Sequence, residues 1–70
     1  MDNQDVLLRK KSVAFLLGVS RFTLRRILLN DPTFPRFIEL SAGIHMVRKS
    51  AVEGWLRRKE LAAREKTARY

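Results

Sequence analysis

The sequence predicts a mainly α fold with a small β hairpin. Three observations carry this: apolar residues at helical spacing on both sides of Gly18, two β-favouring runs separated by Ser41, Ala42 and Gly43, and a third apolar stripe behind Ser50. Val13, Leu16 and Leu17 recur at helical spacing, which predicts a short helix from about Lys10 to Leu17 stopped by glycine in a turn. Ser20 opens the next helix, because its hydroxyl can accept a backbone N–H one turn in. Leu24, Ile27 and Leu28 form its apolar stripe, and Asn30, Asp31 and Pro32 end it, since proline forbids further helix. Phe37 to Leu40 and Ile44 to Val47 are the two arms of the hairpin. Ser50 with Glu53 reads as an S-x-x-E capping box, followed by the buried stripe Val52, Trp55 and Leu56 of a third helix. Beyond Glu60 the stripe weakens. Leu61 to Tyr70 is alanine-rich and charged, with Glu60 to Arg64 and Glu65 to Arg69 at i,i+4 spacing, so it is expected to continue as an exposed helix or to fray. The domain organisation expected is an N-terminal arm over 1–8, a folded unit over 9–60 and a charged extension or tail over 61–70.

Seventy residues make one small domain. At this size folding hides only about 60% of the unfolded chain's surface, which leaves a thin core and no deep substrate cavity, so an ordinary enzyme is not expected. With no Cys and a single His there is no disulfide framework, no thiolate metal cluster and no catalytic triad, and neither a metal nor a cofactor is expected. No apolar run approaches the roughly 18 residues of a membrane span, and Met1 to Asp5 is acidic rather than signal-like, so a soluble cytoplasmic protein is expected.

Charge is unevenly placed. Fifteen Lys and Arg outweigh seven Asp and Glu for a net +8. Residues 9–30 hold Arg9, Lys10, Lys11, Arg21, Arg25 and Arg26 with no acid, and 48–70 hold eight basic residues against Glu53, Glu60 and Glu65. Two basic zones thus flank a nearly neutral centre. Such zones attract polyanions, of which nucleic acid is the commonest in a cell.

The stretch Val13, Ala14, Leu17, Gly18, Val19, Leu24 and Ile27 has the spacing of a helix-turn-helix. Two helices that cross closely need a small residue where they approach (Ala14), a tight turn (Gly18), a plug in the turn (Val19) and apolar residues on the inward faces. On this reading Gly18→Val loses the fold because the turn cannot accept the bulk. If Leu24, Ile27 and Leu28 face inward, the 3.6-residue period forces Arg21, Phe22, Arg25 and Arg26 onto the open face. In this motif the second helix enters the major groove of double-stranded DNA. Arg26 is the best placed for base reading, because a guanidinium fork can bond guanine O6 and N7 together. Arg21 and Arg25 sit nearer the flanks, where phosphates are equally good partners. Ser20 and Thr23 can combine helix-end duty with phosphate bonding, plain capping being favoured for Ser20. Phe22 could meet a thymine methyl, pack on a protein partner or fold back over the hairpin, and the last is the default expectation. For Phe15, burial against the third helix competes with a self-association contact. Trp55 reads as core, and His45 as a hairpin residue within reach of phosphate.

These residues resemble the short winged-helix proteins of phages and prophages: excisionases, also called recombination directionality factors, and the AlpA-like regulators. The resemblance runs from about Leu7 to Leu56. It is carried by Val13 to Ser20, by Ser20, Arg21, Phe22, Thr23, Leu24, Arg25 and Arg26, by Phe34 and Pro35, and by Ser50, Ala51 and Val52 with Trp55 and Leu56. It implies a winged helix-turn-helix (MerR/excisionase-like) in which the second helix occupies the major groove and the β wing meets the adjacent minor groove or backbone. Arg26 matches a groove-reading arginine of the family, and Phe22 a neighbouring contact position. Family wings often carry two glycines and a basic residue at the tip and an aromatic on the returning strand. Here Ser41, Ala42, Gly43 and Val47 stand in those places, leaving Arg36, His45, Arg48 and Lys49, with Lys10 and Lys11, for backbone contacts. The resemblance also implies cooperative binding to repeated sites, self-association on DNA and DNA bending beside attachment sites, in a bacterial nucleoid-associated setting. The alternatives are an AlpA-like transcription regulator without a recombination role, or a protein-interaction module docking an integrase.

Overall fold

The computed structural model describes residues 5–66. Six elements follow in order: β1 (Leu7–Arg9), α1 (Lys10–Leu17), α2 (Arg21–Asn30), β2 (Ile38–Ser41), β3 (Ile44–Arg48) and α3 (Lys49–Lys66). The protein is mainly helical, with an antiparallel sheet of order β1-β3-β2 that includes the small hairpin β2–β3, a winged-helix-like fold.

α1 and α2 take the bounds expected from their apolar stripes. Gly18 closes α1 in the left-handed region at φ 72°, and its amide donates to the Phe15 carbonyl at 3.1 Å while that of Val19 donates to Ala14 at 3.0 Å. The reason Gly18 matters differs from the one expected. A Cβ built there meets nothing within 4 Å, so the demand is on the backbone conformation and not on space. Ser20 caps α2, its Oγ accepting the Thr23 amide at 3.1 Å and donating to Thr23 Oγ1 at 3.1 Å. At the far end Asp31 accepts the Thr33 amide at 2.9 Å and the Thr33 hydroxyl, the Asx turn that steers the chain out of α2 before Phe34. In the hairpin Ser41 belongs to β2, Phe37 precedes it, and the loop is Ala42 and Gly43, with Gly43 at φ 81°.

The first strand was not legible in the sequence. Leu7 and Leu8, expected in a free arm, form β1 with Arg9 and pair with β3 in the register Leu7 to Arg48 and Arg9 to Met46. β3 is therefore the central strand. The start of α3 is also built differently. The helix opens at Lys49, so Ser50 lies inside it, and the cap comes from 45 residues upstream: Asp5 Oδ1 accepts the Ser50 amide at 3.1 Å and Asp5 Oδ2 the Ser50 hydroxyl at 3.0 Å. The carboxylate there also meets Arg48 at 3.2 Å, and the Lys49 amide donates to the Val6 carbonyl at 2.8 Å. A carboxylate at a helix N-terminus satisfies orphan amides and opposes the positive end of the dipole, which Glu53 was expected to do.

One core joins all three helices to the sheet: Val13, Ala14, Leu24, Phe34, Val47, Val52 and Trp55. Leu8, Leu17, Val19, Ile27, Leu28, Phe37 and Ala51 pack around it. Phe34 and Trp55 meet edge to face with centroids 4.7 Å apart, the favoured geometry of two aromatic quadrupoles. Trp55 Nε1 donates to Asp31 Oδ2 at 3.2 Å, and Lys59 pairs with the same oxygen at 2.9 Å, so the end of α2 is fastened to the middle of α3. Leu56, expected in the buried stripe, is exposed, because it lies at the margin of that stripe, and Leu16 is exposed at the margin of the α1 stripe. Phe15 stands in solvent rather than against α3, and Phe22 does not fold back over the hairpin. The charged extension continues α3 as an exposed helix to Lys66; Glu60 and Arg64 form no ion pair among the described residues, and the Glu65 to Arg69 pairing lies partly outside them. No helix of the described residues is long and apolar enough to cross a membrane.

Candidate nucleic-acid interface

The rotation of α2 about its axis is set by Leu24, which is 2% exposed. With that side chain turned inward, Arg21, Phe22, Arg25 and Arg26 are all exposed, as the helical period requires. Among the described residues none of the three guanidinium groups is hydrogen-bonded or ion-paired. Three fixed positive charges therefore face water on one acid-free helix. Ser20 Oγ accepts the Thr23 amide and donates to Thr23 Oγ1, so capping is the visible role of this pair.

The arginines divide between the two flanks of α2. On one side Lys10, Arg21 and Arg25 line an open groove of about 450 Å³ with Leu24, Leu28 and the inner flank of Leu29. On the other, Arg26 lies over a shallow depression shared with Thr23, Ile27, Asn30, Asp31, Trp55 and Lys59. Between the flanks runs the crest, with Phe22 82% and Leu29 74% exposed.

A second cleft, of about 310 Å³, is lined by Arg9, Lys10, Lys11, Gly43, Ile44 and His45. Lys10 belongs to both. Its position at the first residue of α1 joins the α2 flank to the turn of the hairpin in one basic surface, and its ammonium sits 5.6 Å over the Phe37 ring. This cleft has no acidic residue in its lining. Arg9, part of the first basic zone but not of the expected contacts, belongs to it because β1 brings the start of α1 beside β3. The same residue stands at the N-cap of α1 without a side-chain cap.

The remaining residues with expected backbone contacts lie elsewhere. Arg36 is exposed in the connector before β2 and lines neither cleft. Arg48 and Lys49 occupy the β3–α3 junction, where Arg48 is held by Asp5 and the half-buried Lys49 begins α3. Two carboxylates are held below the usual range. For Asp5 the leading cause is the Ser50 amide, followed by the Ser50 hydroxyl and Arg48; for Asp31 it is the Thr33 hydroxyl, then Lys59 and the Thr33 amide. Both are occupied in positioning the helices and stay ionised at neutral pH. Comparison of the chain with protein-family models, curated proteins and solved structures found no match in any of the three.

Proposed function

We propose that this protein binds double-stranded DNA sequence-specifically, with α2 in the major groove and the hairpin as a wing on the adjacent backbone. The observation that carries the reading is the unpaired arginine face of α2, continuous through Lys10 with the basic cleft beside the hairpin turn. Arg26 reads a base edge, since a planar guanidinium bonds guanine O6 and N7 together. Arg21, Arg25, Lys10, Lys11 and Arg9 neutralise phosphates on the flanks, with His45 and the Gly43 turn against the strand beyond. The protein is a binding module and not an enzyme.

The biological role we propose follows from the resemblance: an excisionase, or recombination directionality factor, of phage or prophage origin that acts on the nucleoid. Bending a site of 20–30 base pairs costs on the order of 1–6 kcal/mol, which favours several copies bound side by side; an integrase partner is proposed from the resemblance alone. Selection from random duplexes at two salt concentrations tests the binding. The expected result is a defined site whose preference at one base pair falls by about 1–3 kcal/mol in Arg26→Ala, while Arg25→Ala weakens all sequences alike. A site unchanged in affinity and preference by Arg26→Ala refutes the groove assignment.

A further inference from the structure

The crest of α2 carries two large apolar side chains to which duplex binding through arginines and lysines gives no role. Phe22 is 82% and Leu29 74% exposed, and the two stand seven residues apart on the stripe opposite Leu24. Arg25 and Arg26 lie between them, each one turn from both. The outer face therefore reads apolar, cationic, apolar. We infer that Phe22 and Leu29 read thymine, each set against a C5-methyl group on the floor of the major groove.

This inference rests on α2 being the groove helix. Given that, the chemistry is selective, because the thymine methyl is the apolar feature of base edges in that groove, while the groove walls are phosphates that match the flanking guanidinium groups. A second copy of the chain is the competing occupant of an apolar crest. Residues 9–30 contain no acid, so packing one crest on another would oppose arginine to arginine without relief. A polyanion with methyl groups between its charges satisfies both halves of the face. Two turns of helix span about 10.8 Å, close to three base steps of 3.4 Å, which sets the spacing of the two thymines. The base read by Arg26 falls between them.

The test uses the full chain and the duplex it selects, with each thymine replaced in turn by deoxyuridine, a change that removes only the methyl group. The expected result is a rise in Kd of about fourfold at two positions near three steps apart, the factor for withdrawing one buried carbon group from contact. Phe22→Ala should erase the difference at one position and Leu29→Ala at the other, with far-UV circular dichroism of both variants unchanged because both side chains are exposed. Indifference to every replacement, with scrambled duplex still bound more weakly, overturns the thymine assignment and leaves duplex recognition standing. Equal binding of selected and scrambled duplexes removes the groove reading and the assignment with it. A DNA-free dimer that Phe22→Ala dissociates gives the crest to self-association and overturns the assignment too.

Discussion

Replacing Gly18 separates two explanations of how the reading helix is held against its neighbour. The residue sits at φ 72° and ψ 31°, and an added Cβ would find open space. The cost of a side chain is therefore conformational, about 1–2 kcal/mol for an L-residue forced into the left-handed region. In a domain of this size each kcal/mol moves Tm by about 4–8 °C, so Gly18→Ala should melt about 4–16 °C lower. Gly18→Asn should lose less, because asparagine tolerates that region, and Gly18→Val more, because a β-branched residue tolerates it least. The decisive variant is the synthetic chain with D-alanine at position 18. Its preferred backbone matches the native one, and its unfolded state has fewer conformations to lose, so Tm should rise, by about 2–8 °C. Thermal unfolding followed by far-UV circular dichroism measures all four. If D-alanine lowers Tm as far as L-alanine does, volume and not backbone geometry limits the turn, and the reasoning fails.

Asp5 and Asp31 have folded-state pKa values depressed by their partners, so the stability they confer is present above the unfolded value near 3.9 and lost as pH falls through the folded values. Tm should be flat from neutral pH to about 5 and fall below about 4; Asp5→Asn and Asp31→Asn should each shrink that acid-side fall, and an unchanged fall in both would contradict the assignment. Trp55→Ala removes the ring packed on Phe34 and should cost about 3–5 kcal/mol, a large part of the roughly 3.5–10 kcal/mol available to 70 residues. A urea midpoint within 10% of wild type would exclude it. Lys10→Ala should lower the slope of log K against log salt by about 1, whereas Arg48→Ala, whose partner is Asp5, should lower Tm and leave the slope alone. Equal slopes for the two variants would return Arg48 to the DNA contacts.

Where structure follows from neighbours in sequence, it could be read directly. The α1–turn–α2 unit has its glycine, its cap and its inward apolar residues within one stretch of twenty, and each sits where its spacing implied. The outward set on α2 follows from Leu24 alone. What escaped is non-local. A three-residue strand has too few positions to display alternation, and Leu7 and Leu8 become a strand because β3 offers its free edge. The S-x-x-E pattern at Ser50 fits a cap in isolation, yet Asp5, brought close by that strand, takes the job first. The exposure of Leu56 has the same origin: an apolar stripe gives the direction of burial, and the number of packed layers gives its width. Arg9 entered the basic cleft for this reason too, since nothing near it in sequence places it beside Gly43.

The pairing of β1 with β3 imposes an order of assembly. Leu7 must wait for Arg48, so at chain elongation rates of 5–20 residues per second the partner of the first strand emerges roughly 2–8 s after it. The helical pair and then the hairpin, whose contacts are local, are complete before that edge can zip. The strand made before its partner is thus the latch that docks last, and until it does β3 lacks one of its two strand neighbours.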